Sequence, residues 1–248
     1  RIFFFNRKVL ATQNLAEKKF KVITSFSMLY DLENPIEFCK DVKDSLDADG
    51  LWVFEQSYLS SMLSANSFDT ICQEHLEYYG MKQIDFMLSA SGMKAINVEL
   101  NNVNGGSFSV VATHAESKLQ VQQNVCELRQ DEYNDQSNDN KALIDFVSRC
   151  EKLKIETIKL LDDLIDRGAK IYGLGASTKG NVLLQYYGID NQKLNAIGEV
   201  NEEKFGKFTP GTNIPIIPEN VALNNADYLL VLPWHFKDFF KNNPKFEG

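Results

Sequence analysis

The sequence predicts an α/β fold built from two successive units, and three observations carry that reading. Strand-like runs rich in β-branched residues alternate with helix-periodic segments up to Gly92, and the rhythm restarts at Lys170. A polar break at residues 131–140 (DEYNDQSNDN) separates the two stretches. Glycine-rich turns follow predicted strands at Asn104-Gly105-Gly106 and at Gly173-Leu174-Gly175.

Taken in order, residues 21–26 (KVITSF) read as a buried strand. Pro35 suits the first turn of a helix over residues 34–46, and Asp49-Gly50 turns the chain into a strand over 51–55. An apolar-periodic helix over 84–90 is closed by Gly92. The runs 95–100 and 108–113, joined by Asn104-Gly105-Gly106, read as a hairpin, so this half looks like the second part of a doubly wound sheet. Beyond the polar break, a long amphipathic helix over 141–167 lines up Phe146, Cys150, Leu153, Leu160, Leu161 and Leu164 as a core stripe, and Gly168 stops it. Strands over 170–173, 194–200 and 227–232, with a helix over 179–187, complete the second unit.

Composition narrows the function classes. Hydrophobic residues are 44% of 248, enough for one large or two modest cores of a folded, soluble protein. A formal charge of −8 without a basic run argues against a nucleic-acid partner. No apolar stretch approaches bilayer length and no secretory signal is visible, so a cytoplasmic protein without a membrane partner is expected. Cys39, Cys72, Cys126 and Cys150 form no CxxC pair, which favours reduced thiols over a metal site or a disulfide framework. Arg1 without an initiator Met and the abrupt end at Gly248 read as a fragment. Sequence leaves homodimerisation open.

Residues 68–80 (FDTICQEHLEYYG) carry the densest chemistry. His75 stands beside Glu74, with Cys72, Tyr78 and Tyr79 within a helical turn; an imidazole–carboxylate pair among phenols suits a general base with donors for a developing oxyanion. The bland alternative is a surface helix capped by Asp69 with a solvated histidine. In the second unit, Gly173 and Gly175 let the backbone turn after a strand and approach a phosphate at the next helix N-terminus, with Ser177, Thr178 and Lys179 adding donors. The spacing is neither GxGxxG, because Thr178 occupies the third glycine position, nor a P-loop, because Lys179 precedes Gly180. Glu199 ends the following strand, where an acid reaches a ribose hydroxyl, and Thr209 and His235 lie in loops at strand ends. For His235 a backbone-bonded histidine and a ligand contact weigh evenly. Gly105, Gly106 and Ser107 read first as a hairpin turn and second as a bare backbone against a sugar or phosphate.

Together, the blocks ITSFSMLYDLENP, LWVFEQSYL, EHLEYY, NGGSFSV, YGLGASTKGNVLL, EVNEEKFGKFTPGTNIPI and PWHF resemble the S-adenosylmethionine-dependent C-methyltransferases of nucleotide-diphosphate keto-sugars, enzymes of deoxysugar biosynthesis. The resemblance spans nearly the whole chain. It implies an incomplete class I methyltransferase (Rossmann-like) domain over residues 1–115, a linker over 116–140, and a second Rossmann-like α/β domain over 141–248 that binds the nucleotide sugar. It further implies that His75 removes the proton beside the sugar ketone, that Glu74 orients it, and that Tyr78, Tyr79 and Tyr30 flank the reaction centre. Gly173, Gly175, Ser177 and Lys179 would hold the diphosphate, and Glu199 or Asn201 the nucleoside. The family pattern departs at Cys72 and Tyr30, where relatives often carry a tyrosine and a histidine. Residues 1–21 contain no glycine, so the S-adenosylmethionine loop is not there, and the cysteines of the family's N-terminal zinc domain are missing. This chain alone is therefore expected to bind S-adenosylmethionine weakly and to be inactive by itself. The competing readings are an NAD(P)-dependent oxidoreductase or isomerase of sugar nucleotides, resting on the glycine turn and Glu199, and a non-catalytic nucleotide-sugar binding module.

Overall fold

The computed structural model describes residues 5–15, 17–135 and 139–246. The chain forms two compact units, Arg1–Ala65 with Gln73–Ile144, and Asn66–Cys72 with Asp145–Gly248. Each is α/β, as the alternation of strands and helices predicts.

In unit 1, α1 (Arg7–Thr12) precedes β1 (Phe20–Phe26), α2 (Pro35–Ser45) leads into β2 (Leu46–Ser57), and α3 (Leu59–Ser64) and α4 (Met81–Ala90) lead to β3 (Met93–Asn101), β4 (Ser107–His114) and α5 (Gln123–Asp135). Strand order is β1-β2-β4-β3, with β1 and β2 parallel and β4 antiparallel to both neighbours. The hairpin thus inserts its returning strand between β2 and β3, which makes the sheet mixed. Along β2 alternate side chains enter the core: Trp52, Phe54 and Gln56 are all buried. Trp52 keeps its polar edge satisfied by donating from Nε1 to Ser25 Oγ at 3.0 Å.

In unit 2, α6 (Asn140–Asp166), which begins in unit 1, is followed by β5 (Ile171–Leu174), α7 (Thr178–Tyr187), β6 (Ile197–Glu199), β7 (Ile216–Pro218), α8 (Glu219–Asn225), β8 (Tyr228–Val231) and α9 (Lys237–Asn242). All pairings in the β7-β6-β5-β8 sheet are parallel. The chain leaves β5 towards β6 and β7 on one side, then returns to β8 on the other. The carboxyl ends of β5 and β8 therefore form a topological switch point, where loops diverge and leave a crevice.

Three expectations are corrected. Residues 68–80 form no helix: a 3₁₀ turn, Phe68–Thr70, gives way to irregular backbone, because the amides of Leu76 and Glu77 donate to Tyr30 O at 2.9 and 3.2 Å instead of to their own preceding turn. The polar break is largely helical, since α5 runs to Asp135; residues 136–138 lie outside the described residues. Its Glu132 is buried because it accepts from the amides of Met81 and Lys82, the first donors of α4, whose N-cap Gly80 has no side chain. A carboxylate that caps another helix is indistinguishable from loop polarity in sequence. Finally, the α6 stripe is core only in part. Phe146, Cys150 and Leu161 are buried, whereas Leu153 and Leu160 are 37% and 59% exposed; so long a helix outruns the apolar surface packed against it.

Candidate functional site

The predicted site residues fall into two regions, one in each unit. In unit 1, the chain leaves β1 through Ser27, whose φ of 50° is left-handed, and makes a 3₁₀ turn at Leu29–Asp31. The carbonyl of Tyr30 in that turn anchors the loop carrying His75, and the Tyr30 and His75 rings lie 4.3 Å apart at 52°. Tyr30 is buried and His75 is half-buried. Asp31 faces the same histidine. Burial raises its carboxyl above the usual value, the positive charge of His75 opposes that, and Glu74 adds to it. The histidine thus lies against a buried phenol, with the Asp31 carboxyl near enough to feel its charge, and in reach of solvent for proton exchange.

Tyr78 is half-buried. Tyr79 pairs with Tyr58 through a parallel bridge at the end of β2; its hydroxyl is buried without a partner among the described residues, and burial pushes it up to about 12. Both amide atoms of Gln56, two residues before Tyr58, are also buried without a hydrogen-bond partner among the described residues, an uncommon condition that marks a place where a polar group is missing a mate. In the hairpin loop, Gly106 (φ 130°) packs so closely on Ser61 that an added Cβ would stand 2.4 Å from its Cβ. Gly105 (φ 90°) sits in the same turn, and buried Ser107 donates its hydroxyl to Val103 O at 2.9 Å. These three residues serve the turn in the structure as described.

In unit 2, β5 ends at the predicted turn. Gly175 has φ 84°, and a Cβ there would meet Pro233 Cδ at 2.9 Å, so the loops that follow β5 and β8 approach as closely as a bare backbone allows. Gly173 is pressed against Ile197 in the same way. Ser177 is the N-cap of α7, its Oγ accepting from Gly180 N at 3.0 Å. Thr178 and Lys179 then supply the first-turn amides, which carry the positive end of the helix dipole. Lys179 is half-buried; burial lowers its ammonium, and Asp69 and Cys72 raise it.

His235 lies on the 3₁₀ turn Trp234–Phe236 just beyond β8. Its Nδ1 is buried without a partner among the described residues, and burial, then Lys179, lower it below the ordinary value while Asp69 acts in the opposite direction. Gly175, Ser177, Lys179 and His235 therefore converge at the switch point. Glu199 is buried beneath the turn: Oε1 accepts from the amides of Val200 and Asn201 at 2.8 and 3.1 Å, and Oε2 from Ala176 N at 3.1 Å and Lys204 Nζ at 3.2 Å. Asn201 is exposed, and its Oδ1 caps the next 3₁₀ turn through Glu203 N. Thr209 is turned inward, its hydroxyl 2.6 Å from that of Thr212 and accepting from Ile214 N.

Asp69, read from sequence as a simple cap, is the residue that sequence reasoning missed. It is 2% exposed, and Trp234 Nε1 donates to its Oδ2 at 2.9 Å. Phe68 beside it packs on Tyr186 and Tyr187, and Arg149 Nε donates to Asn66 Oδ1 at 2.7 Å, so the strap Asn66–Cys72 is fastened into unit 2 along its length.

Residues 102–246 match the family profile described as the C-methyltransferase C-terminal domain. The chain belongs to this family. It is also similar to the C-methyltransferase NovU of Streptomyces niveus, 30% identical over 219 residues that cover 85% of this chain and 52% of that protein, so the chain spans about half the length of this C-methyltransferase relative. Among solved structures, the complex of LepI with SAM overlaps 39% of this chain and 27% of its own, at a TM-score of 0.34 and 12% identity. The mitomycin 7-O-methyltransferase MmcR overlaps 44% and 38%, at 0.33 and 14%. Likeness of that extent goes no further than the partial overlap itself. Among the described residues, no group of three or more His, Cys, Asp or Glu is placed to hold a metal ion, and no helix is long and apolar enough to cross a membrane.

Proposed function

We propose that this member of the C-methyltransferase family handles the acceptor in methyl transfer to carbon, and that the acceptor is a nucleotide-diphosphate keto-sugar. The observation that carries the reading is the His75 site: an imidazole 4.3 Å from the Tyr30 ring and tilted 52° to it, next to Glu74 in the chain, on a loop held by two amide bonds to the Tyr30 carbonyl. In this reading His75 withdraws the proton beside the ketone. Glu74 orients the imidazole, and Tyr78 or the buried hydroxyl of Tyr79 donates to the enolate oxygen. Taken by itself, the switch point of unit 2 offers a diphosphate the first turn of α7, with Ser177, Thr178 and Lys179 as donors and His235 across the crevice. Asn201, positioned by the Glu199 carboxylate, faces the nucleoside.

The methyl donor of this chemistry is S-adenosylmethionine, which supplies an electrophilic methyl group when bound. Its nucleotide-like body calls for a glycine turn between a parallel strand and a helix. The parallel strands of unit 1 lead elsewhere: β1 into Ser27 and the 3₁₀ turn, β2 through Ser57 and Tyr58 into α3. The described residues of unit 1 do not fit the donor, and the roles given above concern the acceptor alone. The test is solvent exchange without any methyl donor. In the whole protein, His75→Gln should slow incorporation of deuterium beside the ketone of a keto-sugar nucleotide on the order of a hundredfold or more while leaving its binding in place. Unchanged exchange would remove His75 as the base.

A further inference from the structure

Unit 1 buries two polar side chains that its own fold leaves unused. Gln56 is 1% exposed and Tyr79 5%, and neither the amide nor the hydroxyl has a hydrogen-bond partner among the described residues. Both stand on one face of the sheet. Trp52, Phe54, Gln56 and Tyr58 alternate into the core, and the parallel bridge sets Tyr79 beside Tyr58, with Leu59 N donating to Tyr79 O at 2.9 Å. The surroundings are aromatic: Phe54 precedes Gln56 on that face, Phe108 lies opposite it on β4, and the Phe108 and Tyr58 rings are 4.9 Å apart. Glu55 belongs to the other face, where it accepts from Asn101 Nδ2 at 2.7 Å. An amide walled in by rings costs stability that an apolar side chain of equal size would not.

The position of Gln56 in the fold supplies a reason for that cost. Strands β1 and β2 are parallel, and Ser27 N, just past β1, still donates to Glu55 O at 2.8 Å. The loop of His75 is tied to the Tyr30 carbonyl after β1 and, a few residues on, to Tyr58 after β2. It therefore spans the carboxyl ends of both strands, the end at which open α/β sheets bind ligands, and Gln56 is the inward side chain at that end. Gln73, Glu74, Leu76 and Glu77 on this loop are exposed. Aromatic walls with a few placed polar groups are the usual make-up of a small-molecule site.

We propose that Gln56 is a specificity-determining residue of the acceptor site, and that it reads an uncharged hydroxyl on the sugar carbon next to the ketone. The inference rests on the reading of His75 as the base for a keto-sugar. An amide presents an acceptor and a donor side by side, which matches two neighbouring oxygens of a ring. Oε1 accepts from the hydroxyl, Nε2 donates to the oxygen beside it, and the Tyr79 hydroxyl donates to the ketone. The preferred acceptor is thus an α-hydroxy ketone, taken up under the His75 loop.

The test compares deuterium exchange beside the ketone, without a methyl donor, for two keto-sugar nucleotides that differ only in that hydroxyl. The whole protein should favour the hydroxylated one in kcat/KM by about a hundredfold, because the deoxy analogue leaves the buried amide unpaired. Gln56→Met should bring that ratio close to one while His75→Gln slows both substrates alike. A ratio unchanged by Gln56→Met, or an unsubstituted protein that treats both alike, overturns the role of Gln56 and leaves the base standing. If the unsubstituted protein exchanges neither, the base reading falls and the inference falls with it. Without ligand, Gln56→Met should melt no lower than the parent; a variant that folds but melts several degrees lower has lost a partner the amide already holds, which also overturns the proposal. Should Gln56→Met fail to fold, Gln56→Leu takes its place, and the preference of the unsubstituted protein still decides.

Discussion

Two regions of unit 2 each bury one carboxylate, and they treat it in opposite ways. Beneath the turn after β5, Glu199 is wrapped by the amides of Ala176, Val200 and Asn201 and by the ammonium of Lys204. Burial pushes its carboxyl up, yet the donors outweigh burial and hold it below the usual carboxylate range. At the switch point, Asp69 has the indole of Trp234 as its side-chain donor, and burial wins, raising it above its ordinary value. The number of fixed donors decides the sign. A saturated carboxylate is held ionised by its donors; an undersupplied one is left with the cost of burial.

The largest effect expected from this contrast is at the saturated site. Glu199→Gln should cost about 2–3 kcal/mol at neutral pH, since hydrogen bonds to a buried charge are lost and Lys204 is left facing a neutral amide. Because the folded state holds Glu199 below its unfolded value, its contribution is present above that unfolded value and is lost as pH falls through the depressed one. Urea denaturation should therefore find the two proteins converging in acid, and a gap that persists there would contradict the assignment. At Asp69 the sign reverses. A carboxyl raised on folding loses stability as pH climbs from its unfolded value through the raised one. Asp69→Asn should thus be about 1 kcal/mol more stable than the parent at neutral pH, with the advantage vanishing in acid. A destabilised Asn variant would place Asp69 with Glu199 as scaffold.

The smallest effect carries the contrast into unit 1, where Gln56 buries an amide that finds no donor or acceptor among the described residues. Gln56→Met, similar in volume and apolar, should leave stability unchanged or raise it by about 0.5–1 kcal/mol. A loss larger than about 1 kcal/mol in thermal unfolding would mean that the amide has a partner such as a held water or ligand.

Sequence rhythm was a good guide wherever the cause was local. The strand and helix runs, the hairpin at Asn104-Gly105-Gly106 and the capped helix after Gly175 all depend on backbone preferences and side chains within a few residues. It misled where a long-range partner decided the outcome. Residues 68–80 read as one block, but the chain crosses between units at Cys72, and the carbonyl of Tyr30 takes the amides that a helix would have used. Glu132 read as linker because its task is to cap a helix 50 residues away. Glu199 read as a ribose acid, and the structure adds that its oxygens are engaged inside the loop.

By itself the sequence determined the α/β character of both units, the glycine turn with Ser177 as its cap, and the juxtaposition of Glu74 and His75, because each is a matter of conformational preference over a few bonds. Tertiary structure alone decided that Asp69 joins Trp234, in the loop after β8, at the switch point of a parallel sheet. The hydrogen bond that seats it closes a loop of 165 residues. No local pattern encodes such a contact: burial and neighbouring charge exist only once distant segments have packed, and these are what raise the carboxyl of an ordinary aspartate.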